Sequence, residues 1–227
     1  MKEKSDLAKI AEGRCCGVGS AYVGFKKANE AHSIGTASEI YDPIAKRTVD
    51  TLSTGETMLF WLLRYDESVV EIKEQFLLIP SRVAEAATQI GVRIPSKILT
   101  TDFLVLYDDG RLVAYSVKYS RSDFDPGTRK GRSVIRRQAL EKRYWANLGV
   151  DFKIVFTDEM DRTRATNIAD CMVVYDSEWV TTIDQKYRWL IAHHIVEVDM
   201  SQKIHFSKIA KSNENAISEL YEASLKR

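Results

Sequence analysis

The sequence predicts an α/β protein, a mixed sheet flanked by helices, with a small, mostly helical C-terminal region. Three observations predict it. A capped apolar helix begins near Ser53, a hairpin pattern occupies residues 101–119, and a helix leading into an apolar strand fills residues 133–157. These patterns divide the 227 residues into a loop-rich N-terminal arm (1–50), an α/β domain (51–170) and a small helical domain (171–227), for which a winged-helix arrangement is the expectation.

The arm is spotted with Gly13, Gly17, Gly19, Gly24 and Gly35. Gly17-Val18-Gly19 begins like a dinucleotide fingerprint, but the next glycine comes too late and no strand leads in. The segment therefore reads as loop. Ser53-Thr54-Gly55-Glu56 is a capping box, and Met58, Phe60, Trp61, Leu62 and Leu63 supply the buried helix face behind it. Residues 69–76 alternate in part and read as a strand, with Glu71 and Glu74 expected on its exposed face and Pro80 ending the region. Residues 81–90 read as a short helix closed by Gly91.

Residues 101–107 and 111–119 flank Asp108-Asp109-Gly110, a hairpin signal. A polar loop, 120–132, leads to a helix over 133–148. Residues 152–157 are apolar enough to predict a strand buried on both faces. A helix over 161–169 follows. Beyond Cys171, helical patterns at 179–193 and 213–226 surround an expected short strand at 203–206.

Composition narrows the function classes. With 44% hydrophobic residues the chain can bury a real core. Its longest apolar stretches, 58–63 and 191–196, cannot span a bilayer, and Met1-Lys2-Glu3-Lys4-Ser5-Asp6 is charged with no apolar core behind it. A cytoplasmic protein without membrane contact is expected. Cys15, Cys16 and Cys171 form no C-x-x-C pair, and His32, His193, His194 and His205 lack ligand spacing. A zinc site and a disulfide framework are not expected, and His193-His194 reads as the end of an apolar helix. Net charge is only +1, yet residues 118–143 hold nine Lys/Arg against three acids. Such a strip fits a localised polyanion contact or a solvated helix face.

Hydrolysis of a phosphodiester needs an in-line water and neutralisation of charge on the phosphate, which carboxylate-held divalent metals and a lysine can provide. The hairpin offers such a group. A three-residue loop sets Tyr107 against Arg111, hence Asp102 against Ser116, with Lys118 two positions along on the same face. A two-residue loop would send Lys118 to the other face. Gly110, suited to a left-handed conformation, fits the three-residue loop. A capping box alone explains Glu56; an acid entering an apolar strand, as Asp102 does, needs a partner or a metal.

Taken in order, Ser53-Thr-Gly-Glu56, Val70-Glu-Ile-Lys-Glu-Gln-Phe76, Thr101-Asp102-Phe-Leu-Val, Ser116-Val-Lys118, Leu140-Glu-Lys-Arg-Tyr-Trp145 and Ile154-Val-Phe-Thr-Asp158 resemble the TnsA family over roughly residues 8–170. Ile10-Ala-Glu-Gly-Arg14 also resembles that family's opening. The resemblance implies a restriction-endonuclease-like fold and the nuclease subunit of a heteromeric bacterial cut-and-paste transposase. It further implies Mg²⁺-dependent cleavage of 5′ strands at transposon ends, with Mn²⁺ as a substitute. The implied partners are double-stranded DNA, a DDE-type transposase and an AAA+ ATPase. By motif match Glu56, Asp102 and Lys118 become catalytic, and Glu56, Asp102 and Ser116 the metal set. One position departs: Ser116 stands where the family commonly has Gln and the wider superfamily Glu. The nuclease reading also makes DNA contacts of Arg129, Lys130, Arg132, Arg136, Arg137 and Arg143, through phosphates and without sequence readout. Two alternatives stay open: a non-catalytic DNA- and partner-binding subunit, and a stand-alone restriction- or resolvase-type nuclease.

Overall fold

A computed structural model of the chain describes residues 4–30 and 36–226; Met1, Lys2, Glu3, His32 and Gly35 of the readings above lie outside the described residues. The chain divides into two compact units. One comprises the residues up to Phe60 together with Asp66–Met160, the other Trp61–Tyr65 together with the residues from Asp161 onward.

The first unit contains α1 (Asp6–Ala11), β1 (Ser38–Asp42), β2 (Arg47–Thr51), the start of α2 (Thr54–Arg64), β3 (Val69–Leu77), α3 (Pro80–Gln89), β4 (Thr100–Tyr107), β5 (Leu112–Lys118), α4 (Arg129–Ala146) and β6 (Asp151–Phe156). Strands β3 to β6 form one mixed sheet in sequence order. The β3–β4 and β4–β5 pairs are antiparallel, and β5–β6 is parallel. A parallel neighbour needs a long crossover, and α4 supplies it. Val83, Ala86 and Ala87 of α3 and Leu140, Tyr144 and Trp145 of α4 pack with Leu104 and Ala114 into one apolar cluster. The sheet therefore has a helix-covered face, as the α/β reading expects.

Several local expectations change. Residues 38–51 form a two-stranded antiparallel hairpin inside the segment read as loop. Its turn lacks glycine, and Lys46 adopts the left-handed conformation instead (φ 53°). Helix α4 starts at Arg129, earlier than the expected 133, because the Thr128 hydroxyl accepts from Gly131 N (2.9 Å) and caps it there. Strand β6 is an edge strand, so its burial alternates instead of covering both faces.

Glu71 and Glu74 are not exposed. Strand β3 is the other sheet edge, and the N-terminal arm covers it. Tyr22 Oη donates to Glu74 O (2.8 Å), Phe25 N to Gln75 O (3.2 Å), and Gly19 N to the Glu71 carboxylate (2.8 Å). Arg47 grips the buried Glu74 carboxylate with two bonds of 2.9 and 2.6 Å and also donates to Ile72 O (2.7 Å). A second buried pair, Arg14 with Glu30 (2.7 and 2.6 Å), holds the arm itself, and Arg14 also donates to Phe25 O (2.9 Å).

The second unit is helical: α5 (Arg162–Met172), α6 (Ile183–Ala192), α7 (Phe206–Ser212) and α8 (Glu214–Ser224), with α6 packed against the other three. A Thr182–Gln185 capping box starts α6, and His193 closes it. The expected strand at 203–206 is not formed; α7 begins at Phe206, and the described residues of this unit contain no strand from which a wing could be built.

Both partners of the Arg47–Glu74 pair are buried. Removing one leaves an uncompensated charge in the interior. Arg47→Ala should therefore lower stability by about 3–5 kcal/mol, measured as a shift in urea unfolding, and an unchanged midpoint would contradict the buried pairing.

Candidate active site

The hairpin fixes the first part of the site. Tyr107 N donates to Arg111 O (3.0 Å), and Gly110 takes φ 80°. Phe103 pairs with Tyr115 and Leu104 with Ala114, the register of a three-residue loop. Continued one step, it brings Asp102 to Ser116. Asp102 Oδ2 accepts from Val117 N (2.7 Å) and from Ser116 Oγ (3.3 Å), and lies 3.9 Å from Lys118 Nζ. Lys118 Nζ in turn donates to Ser116 Oγ (2.8 Å) and Val117 O (2.7 Å). The Ser116 hydroxyl thus ties the aspartate to the lysine.

Glu56 arrives from the first turn of α2. Ser53 Oγ accepts from Glu56 N (3.2 Å) and donates to Glu56 Oε1 (3.0 Å), so the capping box is real. The same carboxylate also faces inward. Leu52 N (2.9 Å) and Gln75 Nε2 (3.1 Å) donate to Oε2. Burial pushes the Glu56 carboxyl up to about 7, and the Asp102 charge adds to the rise, against these hydrogen bonds. Capping and site geometry coexist in one side chain.

Gly55 permits this approach. A Cβ there would lie 2.1 Å from Thr157 Oγ1 and 2.9 Å from Val117 Cγ1. Thr157 Oγ1 itself donates to Lys118 O (3.1 Å), so the start of α2 presses on the ends of β5 and β6.

Two neighbours were not legible as site residues. Gln75 has a left-handed φ of 45°, and Glu74 pairs with Phe103 while Phe76 pairs with Thr101. Gln75 and Asp102 therefore share the rung between. The side chain of Gln75 accepts from Thr100 Oγ1 (3.0 Å) while donating to Glu56. The broken alternation at Glu74-Gln75 was its one sequence signal. Lys26, half-buried on the arm, interacts electrostatically with Asp102 and Glu56, and nothing local in the sequence marks it.

The basic residues separate into groups. Arg137 turns inward, donating to Glu141 (2.7 Å) and to Thr100 O (2.8 Å). Burial raises the Glu141 pKa and Arg137 opposes the rise. Thr101 Oγ1 donates to Glu141 (3.0 Å) and accepts from Trp145 Nε1 (2.9 Å), which completes a support beneath the start of β4. Lys130 pairs with Asp123 (2.8 Å), Arg132 caps the carbonyls of Pro126 and Gly127 (2.9 and 3.1 Å), and Arg143 donates to Gln89 (2.6 Å). Arg129 and Arg136 are exposed and unpartnered among the described residues. Arg129, Arg132, Arg136 and Arg143 recur at helical spacing and form one stripe on α4.

Among the described residues no group of three or more His, Cys, Asp or Glu gathers as a metal cluster. The donors present are two carboxylates and a serine hydroxyl, all oxygen. That set suits a hard cation that keeps much of its water, as Mg²⁺ does. The raised Glu56 pKa is a second sign of fit, because two such carboxylates need a proton or a cation between them.

Known proteins show a matching likeness. A family model described as TnsA-like endonuclease N terminal matches residues 66–157, which include Gln75, Asp102, Ser116 and Lys118 but not Glu56 or Lys26. The chain is also similar to the transposon Tn7 transposition protein TnsA of Escherichia coli, with 29% identity over 156 residues, covering 66% of this chain and 55% of that protein. The chain thus spans about half the length of the relative it matches.

Two outcomes test this geometry. Gly55→Ala should destabilise by about 1–3 kcal/mol through overpacking, and Thr157→Ala in the same chain should recover part of the loss in urea unfolding. Equal stability of Gly55→Ala and the parent would deny the close approach. For Glu56, the folded protein keeps a proton to about pH 7 that the unfolded chain sheds near 4.5. The resulting stabilisation is full below pH 4.5 and disappears as pH rises toward 7. Without divalent ions, Glu56→Gln should flatten that slope in stability measured against pH, and parallel curves for the two proteins would rule out the buried carboxyl as its source.

Proposed function

We propose, from the likeness to the TnsA-like endonuclease domain over residues 66–157, that the chain is the DNA endonuclease subunit of a heteromeric transposase. The reading extends to cleavage of the 5′ strands at transposon ends, in company with a DDE-type transposase that handles the 3′ strands and an AAA+ ATPase that regulates both. The observation that carries it is the meeting of Glu56, Asp102, Ser116 and Lys118 at one end of the sheet.

In this reading Glu56, Asp102 and the Ser116 hydroxyl hold Mg²⁺, or Mn²⁺ in its place. The bound ion supplies charge neutralisation at the phosphate and acidifies its water. Asp102 is fixed for the task by Val117 N and Ser116 Oγ, so it needs no reorganisation. Lys118 keeps a proton donor free beyond its bonds to Ser116 and Val117 O, and directs it at a phosphate oxygen or the attacking water. Gln75 orients Glu56 and is itself locked by Thr100. The α4 arginine stripe, with Lys130 beside it, takes the DNA backbone, whereas Arg137 supports the site from within.

A non-catalytic architectural subunit is the second reading, favoured by the short donor at position 116 and the two-carboxylate set. Mn²⁺ titration calorimetry in the presence of DNA separates the two: heat in the parent chain and none in Asp102→Ala supports the nuclease, silence in both supports the scaffold. In a complex with the DDE transposase on transposon-end DNA, Asp102→Ala should lower 5′ nicking at least about 10²-fold while assembly persists. Nicking at the parental rate by Asp102→Ala would remove the central assignment.

A further inference from the structure

The arm that covers β3 also carries a second lysine, Lys26, into electrostatic range of the carboxylates. Phe25 is held by Gln75 O and by Arg14, and Ala28 N donates to Asp50 Oδ1 (2.8 Å). Lys26 sits between these anchors, directly after the residue pinned to Gln75, whose own side chain holds Glu56. The two lysines near Asp102 differ in one respect. The Lys118 ammonium is engaged by Ser116 Oγ and Val117 O, whereas that of Lys26 makes no hydrogen bond or ion pair among the described residues.

A half-buried ammonium that meets no protein acceptor loses part of its hydration with no partner to replace it. Burial draws its pKa down, Asp102 draws it up and Arg137 opposes it, in decreasing order of effect, while Glu56 and Lys9 pull more weakly in opposite directions. A counter-charge for the two carboxylates would explain it in the metal-free protein alone. Once a divalent cation sits on Glu56 and Asp102, the neighbours left to Lys26 are that cation, Arg137 and Lys9, all repulsive. An anion would relieve that repulsion, and the substrate of an endonuclease carries one.

We propose that Lys26 binds the DNA phosphate at the carboxylate site, so that lysines from the arm and from β5 flank the scissile group. The assignment rests on the endonuclease reading above. It makes Lys26 a substrate-contacting residue supplied from outside the segment that the family model matches.

The test uses the full chain with its DDE partner on transposon-end DNA. Lys26→Met keeps the aliphatic stem and drops the charge; Lys26→Arg keeps the charge. Single-turnover 5′ nicking should fall about 10²-fold in Lys26→Met and return largely in Lys26→Arg, with melting temperature and Mn²⁺ affinity not reduced in either. DNA carrying one uncharged methylphosphonate at the scissile position should bind parent and Lys26→Met equally, while natural DNA binds the variant more weakly. Parental nicking by Lys26→Met overturns the proposal and leaves the endonuclease reading intact. So does an affinity gap that survives on methylphosphonate DNA, or a lowered melting temperature that Arg does not restore. A parent complex that leaves 5′ strands uncut overturns the endonuclease reading, and this inference with it.

Discussion

A single carboxylate oxygen, Asp102 Oδ2, receives the Val117 amide and the Ser116 hydroxyl and stands beside the Lys118 ammonium, and the rest of the site is arranged around that junction. The junction depends on hairpin register, because a one-residue slip moves every side chain of a strand to the opposite face. Gly110 secures the register by accepting the positive φ that a three-residue loop demands. Short-range turn chemistry thus decides whether an aspartate and a lysine sixteen residues apart can cooperate.

Around this junction the protein gathers side chains from four separate segments. The arm brings Lys26, the start of α2 brings Glu56, β3 brings Gln75, and the β4–β5 hairpin brings Asp102, Ser116 and Lys118. Each is locked by something rigid: a capping box, a pinned amide, a pair of ladders. Gly55 allows the helix to come near enough, and Gln75 leaves ordinary strand conformation to aim its amide. Such an outlier persists only where the surroundings over-determine it, and here the arm on one side and Asp102's strand on the other do so.

Charge balance links this architecture to chemistry. Burial and the nearness of Asp102 make Glu56 reluctant to ionise, an electrostatic cost of the kind that a divalent cation relieves. Three other buried carboxylates are paired in place, Glu74 by Arg47, Glu30 by Arg14 and Glu141 by Arg137. The two carboxylates of the candidate site have lysines nearby but no guanidinium clasping them.

What the sequence determined by itself was everything set by short-range pattern. The S-x-x-E box marked the start of α2, the Asp108-Asp109-Gly110 loop specified the register, and alternation and periodicity located β3 to β6 with their helices, because caps, turns and periods act within a few residues. Only the tertiary structure decided which face Glu74 would show, that Arg137 would turn inward to Glu141 and not toward solvent, and that Lys26 would come within electrostatic range of Asp102 and Glu56. The same holds for the missed hairpin at 38–51, where Lys46 supplies a conformation that glycine usually advertises. Those outcomes arise when a covering segment removes water from a strand edge. Burial then selects partners by space and charge, among residues too far apart along the chain for any local pattern to record.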